Sequence, residues 1–277
     1  MDNTTTVPVS AATLEVPGAR LHYEVRGQGP LAVLVGAPMD AASFAPLADL
    51  LATDHTVLTT DPRGINRSSV ADPDQDSTPE MRADDLARLI SHLDLGPAVV
   101  LGSSGGAVSA LALVQARPDL AHTVVAHEPP LIELLEDREE RHAGTEEIIS
   151  AWFAGDHVGS WRKFMANANI HMPEEVFEMM FAGEPDPQAL ADTNFQNAHM
   201  LRPTTLWRPE IAALRAASTR IIVGIGEEST DQLCDRTSRA LASELGIEPT
   251  MFPGDHIGFA GDPDRFVTRL RDVLSGG

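Results

Sequence analysis

The sequence predicts an α/β fold: a mostly parallel central sheet with helices on both faces, interrupted by an inserted, all-helical segment. Three observations predict it. Short runs such as "LAVLV" (31–35) and "AVVLG" (98–102) are apolar throughout, as strands buried on both faces are. These runs alternate with segments of helical periodicity, the pattern of strand–helix–strand units. Between Pro130 and Pro209 the alternation stops and only helical segments follow one another.

Taken in order, "TLEVPGARLHYEVRG" (13–27) alternates around Pro17-Gly18 and reads as a hairpin. "LAVLVG" (31–36) is a buried strand, "SFAPLADLLA" (43–52) a helix and "HTVLTTD" (55–61) a strand. The segment 78–96 opens with Thr78 as cap, Pro79 at the first helical position and Glu80 behind it, and stops at Gly96. "PAVVLG" (97–102) is the next strand, followed by a helix ended by Pro118 and by the strand "AHTVVAH", which stops at Pro129-Pro130. In the insertion, 133–155, 159–168 and 173–183 are helical. Strand "TRIIVGIG" (219–226), helix 231–246, strand "EPTMFPG" (248–254) and helix 262–275 complete the pattern. The expected organisation is a disordered tail over 1–12, a core formed by 13–129 and 210–277, and a helical insertion over 130–209.

Composition narrows the function. The 277 residues are 43% hydrophobic and 22% charged, an ordinary globular balance. The net charge is −21, with Lys163 the only lysine, so nucleic acid and anionic membrane surfaces are poor partners. A small-molecule substrate is the expected partner, and a homodimer is left open. Cys234 is the only cysteine, so no intrachain disulfide forms. The N-terminal residues lack a basic region followed by an apolar run, and no apolar stretch is long enough to span a membrane, so the expected location is the cytoplasm.

Gly102-Ser103-Ser104-Gly105-Gly106 fits the G-x-S-x-G pattern with Ser104 at its centre. A serine nucleophile on a strained strand-to-helix turn needs small flanking residues, and here an apolar strand runs straight in and a helix straight out. A serine also needs a base. Of ten histidines, His256 in "GDHIGF" lies on the loop after the last strand, where sites gather in open α/β sheets. His127 adjoins the same region, but strand alternation aims it away from Glu128.

These residues resemble the α/β-hydrolase superfamily. Four landmarks carry the resemblance: "VGAPMDAASF" after the third strand, "DPRGINRS" after the fourth, "GSSGG" at the turn and "GDHIGF" at the histidine loop. It covers about 13–275 and implies the α/β-hydrolase fold, with the insertion as a cap. It further implies a Ser-His-acid triad and an acyl-enzyme. The oxyanion hole would come from the backbone N–H groups of Ala37 and Gly105, while the Asp61-Pro62-Arg63-Gly64 turn braces the neighbouring loops. Two departures stand out. Val35 replaces the histidine with which the oxyanion loop of such proteins commonly begins. Ser229 stands where many members carry the acid. The candidate acids are then Glu128, at the end of the strand after the nucleophile helix, with Asp231 as the alternative and Glu227 or Glu228 behind them.

Residues expected to line the substrate pocket are Pro38, Met39 and Ser103, with Trp152, Trp161 and Met165 from the insertion. The scarcity of Lys and Arg disfavours a polyanion, so a small, largely hydrophobic ester, thioester or lactone suits the site. The sequence shows neither a metal-ligand cluster nor the G-x-G-x-x-G dinucleotide fingerprint, so no metal and no cofactor is expected. The alternative is a non-hydrolytic protein of the same fold (a lyase, an isomerase or cyclase, or a small-molecule binder) using the same pocket.

Overall fold

The structure is a computed structural model that describes residues 7–276. The chain opens with the antiparallel hairpin β1 (Val9–Val16) and β2 (Ala19–Arg26). There follow β3 (Leu31–Val35), α1 (Ala45–Leu51), β4 (Thr56–Thr60) and the two-residue β5 (Ser69–Val70). Next come α2 (Pro79–Leu93), β6 (Ala98–Ser103), α3 (Gly105–Ala116) and β7 (Ala121–His127). A run of helices then intervenes: α4 (Arg138–Phe153), α5 (His157–Ala168), α6 (Glu174–Phe181), α7 (Pro187–Phe195), α8 (Leu201–Thr205) and α9 (Ile211–Ala216). The chain returns to the sheet with β8 (Arg220–Gly226), α10 (Leu233–Leu245) and β9 (Thr250–Phe252), and ends with the short α11 (Gly258–Gly261) and α12 (Pro263–Ser275). The sheet order is β1-β2-β4-β3-β6-β7-β8-β9, with β5 on β2. β3, β4 and β6 to β9 run parallel, and only the N-terminal hairpin and β5 pair antiparallel.

Adjacent residues of the central strands serve opposite layers, because successive strand side chains point to opposite faces. Val33, Val100, Val124 and Val223 face the layer of α2 and α3 with Leu86 and Leu111. Leu34, Leu101, Val125 and Ile222 face α1 and α12, against Leu47 and Phe266. Each such side chain, fully buried, contributes about 1.5–3 kcal/mol. This burial on both faces is why the runs are apolar without alternation.

The helical segment is tied to the core by specific contacts. Arg82 is buried and donates to Ser109 Oγ on α3 (2.9 Å), to the Ser77 carbonyl, and to Thr204 Oγ1 on α8 (2.8 Å). The Asn66 N–H donates to Asp192 on α7 (2.8 Å). The turn at Asp61 braces loops as its sequence suggests. Asp61 is fully buried and accepts from the Ala41 N–H and from Arg67, while Arg63 grips Asp85 through two hydrogen bonds.

The structure corrects several boundaries. Residues 9–12, expected in the disordered tail, belong to β1 and pair with residues 23–26 of β2, whereas 1–6 lie outside the described residues. Val9 to Thr13 are exposed on an edge strand, so they carry little of the burial pattern by which a strand is read. α2 ends at Leu93, before Gly96, because Asp94 adopts the left-handed conformation (φ 51°) that stops it. β5 and α11 are too short to show a period. Among the described residues no helix is long and apolar enough to cross a membrane.

Candidate active site

The C-terminal ends of β6, β7, β8 and β9 meet at one place. Register puts Ser103 beside His127, His127 beside Gly224, and Gly226 beside Phe252. The loops leaving these ends therefore carry Ser104, Glu128 and His256 to a common point.

Ser104 stands between β6 and α3 with φ 55° and ψ −127°, a strained conformation that non-glycine residues rarely hold. Its N–H donates to the His127 carbonyl (3.0 Å), which anchors the turn to β7. Sterics explain the glycines around it. A Cβ on Gly106 would lie 2.2 Å from the Val35 carbonyl oxygen, and one on Gly105 would lie 2.5 Å from that of Ala37. The same closeness brings the Gly105 amide, first in α3, beside the Ala37 loop. Among the described residues neither the Ala37 nor the Gly105 N–H has an acceptor.

His256 and Glu128 form a pair: Nδ1 and Oε2 are 2.5 Å apart. Glu128 is fully buried, and its Oε1 accepts from the Gly226 N–H (2.8 Å). Burial pushes its carboxyl up, but the His256 hydrogen bond and neighbouring positive charge outweigh this and hold it at about 2. Ser229 Oγ is also buried near this carboxylate but outside hydrogen-bond geometry. Burial pulls the His256 imidazole down. The adjacent Cys234 sulfur and the Glu128 carboxylate outweigh it, so His256 sits well above its usual value of 6.5. Glu128 itself has φ 51°, a second strained residue at this junction. Asp231, Glu227 and Glu228 are exposed and make no side-chain contact with His256; the Asp231 N–H instead donates to Asp235. Nor does Asp231 cap α10, whose N-cap is Gln232.

Ser104 and His256 both face a cavity of about 330 Å³. The Ser104 hydroxyl makes no hydrogen bond to the ring among the described residues; pairs of this kind often tighten only when substrate is in place. Ala37, Pro38 and Met39 line one side, and Trp161, Phe164 and Met200 cover it from the helical segment. No Asp, Glu, Lys or Arg lines it among the described residues.

Three expected lining residues lie elsewhere. Ser103, last in β6, points into the protein and is fully buried, with its hydroxyl 3.1 Å from His127 Nδ1. His127 lies between the rings of Phe252, Phe259 and Phe266, and burial pushes it down to about 4. Trp152 is packed inside the helical segment, stacked on His157 and donating to Asn194 (2.7 Å). Met165 sits beside, not on, the face of α5 that carries Trp161, Phe164 and Ala168 to the cavity.

Sequence reasoning passed over Cys234, Gln196 and Gln232, all of which line the cavity. The one signal for Cys234 was its uniqueness. Its sulfur, a His256 nitrogen and a Glu128 oxygen lie within 4.8 Å of one another, a set of metal-ligand types that the sequence spacing did not reveal. Nδ1 of His256 and Oε2 of Glu128, hydrogen-bonded to each other, are not placed to ligate one ion together. Ligands about 2.0–2.2 Å from a tetrahedral metal stand well over 3 Å apart, whereas Glu128 and His256 are joined at 2.5 Å.

A mostly parallel sheet, a serine on a strained turn at its C-terminal edge and a histidine held by a carboxylate together define an α/β-hydrolase. The chain matches the profile of the Alpha/beta hydrolase family over residues 32–269 and belongs to that family. It is 32% identical to the uncharacterized hydrolase YraK of Bacillus subtilis (strain 168) over 279 residues, 96% of each chain. It is 25% identical to a zearalenone hydrolase of Bionectria ochroleuca over 265 residues, covering 92% of this chain and 94% of the other. Among solved structures it resembles a thermophilic esterase from Thermogutta terrifontis (TM-score 0.69, 22% identity, 96% of this chain and 98% of that one).

Proposed function

We propose that this chain is a serine hydrolase acting on a small, largely hydrophobic ester, thioester or lactone. Ser104 Oγ attacks the carbonyl carbon, and His256 Nε2 takes the hydroxyl proton. Glu128 holds the ring through Nδ1–H and stabilises the imidazolium as it forms. The Ala37 and Gly105 amides donate to the developing oxyanion, the kind of preorganised stabilisation worth about 3–4 kcal/mol per donor. His256 then passes the proton to the leaving oxygen, and water, activated by the same ring, releases the acyl group.

The observation that carries this reading is the 2.5 Å Glu128–His256 hydrogen bond beside a cavity that Ser104 also faces. A cavity lined without Asp, Glu, Lys or Arg among the described residues supports a neutral substrate, and the aromatic and methionine side chains of the helical segment support an apolar one. The helices of 130–209 act as the cap that excludes water. A panel of p-nitrophenyl esters tests the reading: turnover by the wild type that Ser104→Ala abolishes supports it. Turnover unchanged in Ser104→Ala, or none across the panel, rejects it.

A further inference from the structure

The threonine and amide side chains of the cavity divide into two groups. Thr145, Thr204 and Thr205 each donate their hydroxyl to a main-chain carbonyl three or four residues back. Asn167 is tied to Arg141 in both directions. These side chains are engaged within the protein. Gln196 and Gln232 are not: among the described residues neither side-chain amide has a hydrogen-bond partner, although both line the cavity and both are half-buried. Gln232 is the N-cap of α10, yet its side chain does not cap the helix. Gln196 begins the π-turn Gln196–Met200 between α7 and α8, a widened turn of a kind frequent at functional sites.

The chain neighbours of the two glutamines meet different parts of the site. Gln232 is next to Leu233 and Cys234, and the Cys234 sulfur is within 4.8 Å of a His256 nitrogen. Gln196 is one turn ahead of Met200, which packs with Ala37 of the oxyanion loop. His256 must hand its proton to the leaving oxygen. The alcohol portion of a substrate therefore lies toward Gln232, and the acyl portion toward Gln196. Each amide offers an acceptor and two donors. An alkyl chain that displaces water from such a group leaves it unpaired, whereas a hydroxyl or carbonyl pairs it.

The geometry points to Gln196 and Gln232 as specificity residues of this cavity: Gln196 binds a hydrogen-bonding group on the acyl portion and Gln232 one on the alcohol portion. The preferred substrate is then a neutral ester or lactone with a hydroxyl or carbonyl on each side of the reacting bond, not a plain alkyl ester. The assignment of ends rests on the serine-hydrolase reading; the free amides do not.

The test compares octanoate esters with their hydroxyoctanoate counterparts, the hydroxyl moved along successive acyl carbons, and hexyl esters with hydroxyhexyl esters. The wild type is expected to prefer at least one hydroxylated compound of each series by about tenfold in kcat/KM. Gln196→Met, which conserves volume, is expected to cancel the acyl preference and keep the alcohol preference; Gln232→Met does the reverse. Calorimetric binding of the same compounds to Ser104→Ala must show the same preferences without turnover. A wild type indifferent to the hydroxyls, or preferences that survive both glutamine substitutions, overturns the inference. Turnover unaffected by Ser104→Ala overturns the hydrolase reading instead, and the binding arm then still decides whether the amides select ligands.

Discussion

Replacing Glu128 by Gln isolates the charge beneath His256. The carboxylate accepts two hydrogen bonds, from His256 Nδ1 at 2.5 Å and from the Gly226 N–H at 2.8 Å, with no exposure to solvent. A glutamine of the same shape offers only one acceptor oxygen to these two donors. If the oxygen stays on Gly226, the amide N–H₂ faces Nδ1 and imposes the tautomer with its proton on Nε2, which cannot take a proton from Ser104. If the amide turns over, Gly226 loses its acceptor. Either way the imidazolium formed during attack loses its counter-charge. The expected fall in kcat is roughly four orders of magnitude, or about 5 kcal/mol of barrier. The assay is hydrolysis of a p-nitrophenyl ester under saturating substrate, with circular dichroism confirming that the variant is folded. Asp231→Asn, at an exposed carboxylate without a side-chain partner, is expected to change kcat by no more than about twofold. A Glu128→Gln enzyme within tenfold of wild type, or a larger loss in Asp231→Asn, refutes the assignment.

Other perturbations probe neighbouring parts of the account. With His256 as the proposed base and held well above 6.5, kcat/KM should rise with pH through an apparent pKa above 6.5, and a midpoint below 6 contradicts this. His127 is buried neutral with its value lowered to about 4, so the unfolded chain takes up a proton below about pH 6.5 that the folded chain refuses until about pH 4. Stability present above pH 6.5 is therefore lost on acidification, by about 3 kcal/mol at pH 4. Urea titrations should show a flatter loss over this window in His127→Gln, and an unchanged slope rejects the link. N-ethylmaleimide should place one label, at Cys234, and inactivate the wild type by filling the cavity beside His256. The residual activity of Cys234→Ser should resist the reagent, and equal sensitivity sinks this placement.

Local chemistry explains what could be read in advance. The strand into Ser104 and the helix out of it were legible because both are buried, so their residues are apolar throughout. Glu128 was conspicuous as an acidic residue between a buried strand and two prolines, and the structure brings it, rather than Asp231, to His256. The pocket was less legible. Ser103 adjoins Ser104 in sequence, but a strand end sends successive side chains in opposite directions. Trp152 and Trp161 look equivalent as aromatic residues of a helical segment. Which of them meets the cavity depends on how α4 and α5 pack, and their burial pattern does not encode that. Gln196, Gln232 and Cys234 carry no motif at all. Their shared setting arises from long-range packing of α7, α8 and α10 around one space.

The central claim is that Ser104 is a nucleophile activated by His256, and covalent labelling tests it most directly. A fluorophosphonate probe, followed by proteolysis and mass spectrometry of the labelled peptide, should modify the wild type at Ser104. Labelling should be absent in Ser104→Ala and strongly slowed in His256→Ala. A wild type that stays unlabelled, or a label that persists unchanged in Ser104→Ala, contradicts the account.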